Sequence, residues 1–401
     1  LLRSCYEAMF KNCTGITLYK DGSGPPWGIP AGAQAQEDWN LDMFAGTSGL
    51  FTGNPAIGVT YYHAPPLASE AHLTFTSDDA FSIAPKMNSW NGTLECSTDA
   101  ATWALFTTNG AAAATNASGE FKLYVRGTSN TIITGSFETP GWRMDGADAI
   151  ACSGNIETLL DYQTVAAGQH PLMADYCFAN LFREWTNLTA TPTLPATTLT
   201  EACYLYMFKN CASLTEAPEL PASTLAYGCY YGMFEGCAGL TQTPTLSAMN
   251  LAEGCYGSMF EGCTALTNAP ALPATTLTDW CYCCMFRNCT SLMDTPALPA
   301  RTVMESSYNS MFHGCTRLRK LPELPATNLA ENCYYSMFRG CTGIKLSEIG
   351  PGTPWGIPAN AKEQPNWNLE MFADTGGPFT GRPSIGVTYY YDSTPPSPPP
   401  G

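Results

Sequence analysis

Eighteen cysteines in a chain of 401 residues are the first chemistry the sequence offers. Thiols can bridge, bind metal or act as nucleophiles, and spacing decides among these. Fourteen of them fall between residues 177 and 346, where Cys203 and Cys211, Cys229 and Cys237, and Cys255 and Cys263 stand eight residues apart. Bridging each to its neighbour eight residues on would set Cys177 opposite Trp185 and Cys315 opposite Ser307, leaving both unpaired. A ladder of buried reduced thiols, each acting as a small apolar side chain, tolerates such replacements and is the expected state. Disulfides are the open alternative, because an extracellular setting permits them and spacing does not fix connectivity. Cys96 and Cys152 are candidates for a separate pair. The one dense cluster, CYCC at 281–284, reads as one repeat's variation rather than as the convergent ligand set zinc requires.

Other reactive types are scattered. His63, His72, His170 and His313 have no Ser, Cys or carboxylate in a recognisable nucleophile–base arrangement. The turns TSDDA at 76–80 and MDGAD at 144–148 carry carboxylates without the full ring of oxygen ligands of a calcium loop. Asn12, Asn91, Asn116, Asn187 and Asn288 head N-x-S/T triplets, the glycan acceptor pattern, but Asn12 and Asn288 fall at turns that favour Asn for its own sake. No catalytic residue, cofactor or metal is expected. A net charge of −16 with 13% charged residues repels phosphate backbones and anionic lipid, which argues against nucleic acid or membrane surfaces as partners. No apolar run is long enough to span a bilayer.

What must position these residues is an internal repeat. The string CYLYMFKNC at 203 returns as CYYGMFEGC at 229, CYGSMFEGC at 255, CYCCMFRNC at 281, SYNSMFHGC at 307 and CYYSMFRGC at 333, and the step between successive copies never changes. A degenerate copy, CFANLFREW, stands one such step earlier at 177. A constant period means that like residues stack, at roughly 4.8 Å per unit and about 35 Å for seven units. The expected buried ladder comprises Cys203, Met207, Phe208 and Cys211; Cys229, Met233, Phe234 and Cys237; Cys255, Met259, Phe260 and Cys263; Met285, Phe286 and Cys289; Met311, Phe312 and Cys315; and Met337, Phe338 and Cys341. Leu205, Tyr231, Gly257 and Asn309 vary between repeats and are expected to face outward or toward a neighbour. Variable aromatic residues, Tyr206, Tyr227, Tyr230, Tyr231, Trp280 and Tyr335, are the candidate ligand surface.

The pattern MFxxCxxLtxxP alternating with LPATtL resembles the repeats of BspA-like leucine-rich-repeat proteins of bacterial surfaces, which also occur in phage-encoded proteins. The resemblance covers nearly half the chain and implies an extracellular, adhesive role. Pro218 and Pro221 depart from it, since proline lacks the donor a strand ladder needs, so that segment is expected to be extended and polyproline-like.

A larger repeat encloses the smaller. CYEAMFKNC at 5, PWGIPA at 26, WNL at 39, MF at 43 and IGVTYY at 57 return, in the same order and at one common offset, at 333, 354, 367, 371 and 385. Residues 1–66 therefore read as the closing coil and cap of a preceding module, and tandem modules or self-association in a fibre are the expected partners. Met371 follows Met337 at a longer step than Met337 follows Met311, so a longer final unit, 347–392, is expected to cap the stack. Trp27, Trp39, Trp355 and Trp367 then belong to cap interiors.

Residues 67–150 lose the period and alternate instead. In FKLYVRG, Phe121, Leu123 and Val125 share one face, as in a half-buried antiparallel strand. About seven such strands, from HLTFT to WRMDG and including TIITGSF, suggest a small Ig-like β-sandwich. Residues 151–176, with ACSGNIETLLDY, are expected to form a helical cap over the leading repeat, followed by the solenoid at 177–346. The closing segment 393–401, STPPSPPPG, reads as a stiff linker.

The fold expected is mainly β: a leucine-rich-repeat-like solenoid plus a small antiparallel sandwich. The function expected is that of a non-enzymatic fibre or adhesin module at a cell or virion surface. The alternative is a receptor-binding fibre that recognises a glycan or a protein on a host cell.

Overall fold

A computed structural model describes residues 71–135, 137–138 and 141–392, residue 56, and the backbone of 26–28 and 60–62. The expectations placed on Asn12, Trp27, Trp39, most of 1–66 and the segment 393–401 lie outside the described residues. The chain divides into two compact units, Leu1–Ala71 with Tyr162–His170, and His72–Asp161 with Pro171–Gly401. In the first, β1 (Pro26–Gly28) pairs antiparallel with β2 (Thr60–Tyr62), Pro26 opposite Tyr62.

The second unit opens with short strands: β3 (Leu73–Ser77), β4 (Ser82–Pro85), β5 (Thr93–Ser97), β6 (Ala104–Leu105), β7 (Ala111–Ala112), β8 (Ala114–Thr115), β9 (Phe121–Thr128), β10 (Trp142–Asp145) and β11 (Ile150–Ser153). Along β9 the predicted alternation holds, with Leu123 and Val125 fully buried and Lys122, Tyr124 and Arg126 half-buried. One sheet runs β11-β3-β9-β5-β6, with β8 also on β9, and a second runs β10-β4-β7. Two expectations fail here. No strand forms in the described part of TIITGSF; the backbone there turns to the repeats instead, as Ile133 N and Thr134 N donate to Cys177 O. Residues 151–153, expected in the helical cap, instead continue a strand from Ile150, because Ile150 and Cys152 alternate into the core and Gly154, at φ +94°, ends the run. The helix α1 (Thr158–Ala166) starts only after Asn155, whose side-chain oxygen accepts from Glu157 N, and it breaks at Asp161.

β11 pairs in parallel with β12 (Leu188–Ala190), so the sheet continues into the first repeat. The sheets are mixed and none is closed. Beyond β12 the LPAT side makes only isolated parallel bridges, such as Thr198–Thr224, Glu216–Gln242 and Thr276–Thr302. Proline removes the donors a longer ladder would use.

The other side of each repeat is held differently. Within CYLYMFKNC, alternate amides donate forward to the next repeat: Tyr204 N to Cys229 O (3.0 Å), Tyr206 N to Tyr231 O (3.0 Å), Phe208 N to Met233 O (2.9 Å) and Asn210 N to Glu235 O (2.7 Å). The intervening amides close tight turns three residues back, as Met207 N does to Tyr204 O (3.2 Å). Such turns require a left-handed residue every fourth position: Ala202, Tyr206 and Asn210 have φ of 48°, 52° and 63°, and Gly228, Gly232 and Gly236 follow at the same places. The backbone of one repeat's string therefore makes half its hydrogen bonds to its neighbour.

Stacking follows from that register. Tyr204, Tyr230, Tyr256, Tyr282, Tyr308 and Tyr334 form one column of near-parallel rings at 5.8–5.9 Å. Phe182, Phe208, Phe234, Phe260, Phe286, Phe312 and Phe338 form a second at 5.5–5.8 Å. The Met, Phe and Cys ladder is fully buried at every expected position.

Both ends of the stack are covered. At the leading end the first repeat's carbonyls take donors from the sheet domain, Ile133 N reaching Cys177 O and Trp142 N reaching Leu181 O, while Trp185 Nε1 of the repeat donates back to Trp142 O at 2.7 Å. The sheet domain supplies those donors in place of a preceding repeat, and the segment expected as a helical cap also bonds the first repeat, Ile156 N donating to Thr193 O. At the trailing end, Tyr334 N donates to Trp367 O and Phe338 N to Met371 O, so the longer unit keeps register. Trp355 stands edge-on to Phe372 at 5.3 Å, and Trp355 and Trp367 are buried as expected. There β13 (Leu346–Ser347), β14 (Thr353–Trp355) and β15 (Tyr389–Tyr391) form a small sheet with Pro354 opposite Tyr390. That pairing reproduces Pro26 opposite Tyr62 in the second copy of the larger repeat.

One repeat carries a defect. Ser307 stands in the first cysteine column, and its hydroxyl is buried with no hydrogen-bond partner among the described residues. An unsatisfied buried hydroxyl costs about 1–3 kcal/mol, whereas a thiol there is nearly apolar. Ser307→Cys is expected to stabilise the chain by about 1 kcal/mol in reducing buffer, measured by urea unfolding; an unchanged or lower midpoint would contradict this.

Candidate binding groove

The left-handed position that opens each string forms a column along the stack: Tyr176, Ala202, Gly228, Gly254 and Trp280, with φ of 56°, 48°, 55°, 60° and 58°. Three small residues lie between two large aromatic ones, so the column is a trough with ring-bearing ends. Its side is built from the second left-handed column and its neighbour, where Tyr206 lies across Gly232 and Tyr231 across Gly257. The result is a groove of about 480 Å³ lined by Phe137, Tyr176, Tyr206, Tyr227, Tyr231, Glu253 and Trp280 over a floor of Ala202, Leu205, Gly228 and Gly254.

Four expected ligand residues, Tyr206, Tyr227, Tyr231 and Trp280, meet in this groove. Tyr230 does not; it is 1% exposed and stacked in the tyrosine column, because the residue after the first cysteine points inward in every repeat. Tyr335 is half-buried and stands outside the groove lining. Leu205, expected to face outward or toward a neighbour, is buried against Ala179 of the preceding repeat and Ala202 beneath the tyrosines. Phe137, Tyr176 and Glu253 were missed. Tyr176 and Trp280 share one repeat position, which aligning the repeats on the left-handed site would have revealed.

The groove is acidic along one edge. The residue before the trough column is Asp175, Glu201, Tyr227, Glu253 and Asp279 in successive repeats. Glu201 accepts from Tyr176 Oη at 3.1 Å, closing the leading end. Tyr206 is covered by the chain's own cations, with Lys209 Nζ 4.4 Å and the Arg183 guanidinium carbon 5.9 Å from the ring centre. Lys209 is in turn paired with Glu235 at 2.7 Å. Tyr227 and Trp280 are 52% and 43% exposed.

The remaining expected sites resolve to structural roles. Every described cysteine is a free thiol, Cys96 and Cys152 included. In the second cysteine column each thiol donates to the phenylalanine carbonyl of the preceding repeat: Cys211 to Phe182 O (3.2 Å), Cys237 to Phe208 O (3.0 Å) and Cys289 to Phe260 O (3.0 Å). Cys283 Sγ and Cys284 Sγ lie 3.5 Å apart. Among the described residues no group of three or more His, Cys, Asp or Glu is placed to hold a metal ion. The two acidic turns meet where Asp148 N donates to Asp79 Oδ2. His72 is buried against Tyr124, and burial lowers its pKa. The side-chain amides of Asn91, Asn116 and Asn187 bond Thr131, Glu120 and Ala147 O respectively, and exposed Asn288 occupies a left-handed turn at φ 60°. Among the described residues no helix is long and apolar enough to cross a membrane.

The trough's backbone and the buried thiols can each be tested. Gly254 has only Tyr231 Cδ2, at 4.0 Å, near an added Cβ, so Gly254→Ala tests backbone conformation almost alone. Alanine at positive φ costs about 1 kcal/mol; Gly254→Asn is expected to cost less, and equal midpoints for the two variants would contradict the left-handed assignment. Burial pushes the thiols of Cys229, Cys237, Cys281, Cys315 and Cys333 up to about 12 from an ordinary 9.0. Above pH 9 the unfolded chain releases protons that the folded chain retains, so stability is full below pH 9 and falls as pH rises toward 12, each thiol adding up to about 1.4 kcal/mol per pH unit. The melting temperature should drop steeply above pH 9; a flat profile to pH 11 would show the thiols are not buried.

No protein-family model matches the chain, and comparison with the curated proteins and with the solved structures gives no significant match.

Proposed function

We propose that this chain is a non-enzymatic extracellular module of a tandem fibre or adhesin, providing reach and surface contact. Its repeats are read as a leucine-rich-repeat-like solenoid of BspA-like type, with the sheet domain as a small β-sandwich between successive solenoids. The observation that carries the reading is the forward hydrogen-bond register. Each repeat from 177 onward bonds the next in the same pattern, a construction that lengthens by adding units and needs covers only at its ends. Support for tandem modules comes from the two strand pairs, one in each copy of the larger repeat, that share one register. Association of like modules, at a cell or virion surface, is part of the same proposal.

The second reading, a receptor-binding fibre, is favoured by one observation: exposed aromatic side chains gathered in a single groove. The two readings are compatible if contact is made through that groove.

Electron microscopy of the purified full-length gene product, including any further modules, tests the proposal. Beaded or filamentous particles with a constant repeat are expected. Compact globular monomers would contradict the fibre reading.

A further inference from the structure

Within the groove, the half nearest Phe137 is already satisfied: Tyr206 carries Lys209 and Arg183, and Glu201 holds the Tyr176 hydroxyl. The other half has the same ingredients without a cation. Tyr227, Glu253 and Asp279 occupy one position in three consecutive repeats, with Trp280 adjoining Asp279 and Gly254 forming the floor between the two rings. Among the described residues, no lysine or arginine is seen over Tyr227 or Trp280 or paired with Glu253.

The geometry points to a binding site for a quaternary ammonium group of the choline type, held between Tyr227 and Trp280 with Glu253 as counter-charge. Tyr227, Glu253 and Trp280 line one groove, Tyr227 one residue before the trough column and Trp280 within it, and both rings are exposed. A cation entering between them is attracted by the ring quadrupoles over a reach of roughly 6 Å. The N-methyl groups suit the glycine floor, which offers apolar contact and no donor that would compete for the carboxylate. An ordinary ammonium demands hydrogen bonds that two rings do not provide, so methylation matches the site better than a bare amine does.

A second observation comes from the backbone. Trp280 holds φ 58°, a conformation in which the equivalent residues of the two preceding repeats are Gly228 and Gly254. The turn imposes that φ in every repeat, so the unforced choice is the side chain: a bulky aromatic residue where glycine would carry less strain. The indole is half-exposed, so packing alone does not account for it.

This inference deepens the surface-contact reading and rests on it for its biological sense, but its test is independent of fibre formation. Choline is titrated into the full chain and binding followed by calorimetry, beside its neutral carbon isostere 3,3-dimethylbutan-1-ol. Trp280→Gly and Glu253→Gln serve as variants; glycine is the residue other repeats carry at this φ, so folding is preserved. Saturable choline binding is expected, with the isostere at least about tenfold weaker and each variant weakened about tenfold. Equal binding of the isostere, no choline binding, or binding unchanged in both variants overturns the proposal. Phosphatidylcholine vesicles form a further arm: pelleting of the native chain but not of Trp280→Gly identifies a surface head group as the source, whereas binding of free choline alone assigns a soluble one. A glycan screen positive only with Trp280 intact, together with silent choline, would overturn the proposal in favour of a sugar site. Filaments in the microscope with no choline binding would sink this site and leave the fibre reading standing; the reverse result would do the opposite.

Discussion

Alternate amides of each repeat's turn-forming string have no acceptor inside their own repeat and donate instead to a carbonyl of the next. Much of the rest follows from that. An unpaired buried amide is costly, so an isolated repeat cannot satisfy its own backbone and stacking is obligatory. Stacking at one offset puts Tyr on Tyr and Phe on Phe, which sets the two ring columns and the width of the core. It also leaves carbonyls at the first repeat and a ring face at the last without a neighbour. The sheet domain and the Trp355–Phe372 cap answer those two needs.

The same constraint explains the cysteines without bridges or metal. A side chain in the second cysteine column is fully buried against the preceding repeat, where the phenylalanine carbonyl can accept one more weak donor. A thiol meets both conditions, being small, largely apolar and a weak donor. Alanine or valine would leave the carbonyl's second contact unmade. Burial then keeps these thiols protonated, which removes the nucleophilic chemistry their number first suggests.

The period, the ladder and the longer closing unit were legible because they are statements about identity at fixed spacing, and the sequence contains six near-identical strings. The turn architecture was also written there: Gly228, Gly232 and Gly236, and Gly254, Ser258 and Gly262, recur at every fourth position. Reading for strand period two or helix period near four with apolar residues passes over it, since these positions are small rather than apolar. Tyr230 counts among the variable aromatic residues in the sequence, yet it occupies the same invariant position as Tyr204, and that column is turned inward in every repeat. The groove was half visible: its tyrosines and Trp280 vary between repeats, whereas Tyr176, Glu253 and Phe137 gain meaning only once the left-handed column aligns them. Residues 151–153 fall within the expected helical cap, and pairing with β3 and β12, which no local pattern announces, makes them strand.

Native-state hydrogen exchange, read residue by residue by NMR, tests the stacking most directly. The amides of Tyr204, Tyr230, Tyr256, Tyr282 and Tyr308, each donating to the following repeat at 3.0–3.1 Å, should exchange at one common slow rate set by cooperative opening of the stack. Exchange of these amides at the rate of an unstructured peptide, with the core otherwise folded, would contradict the account.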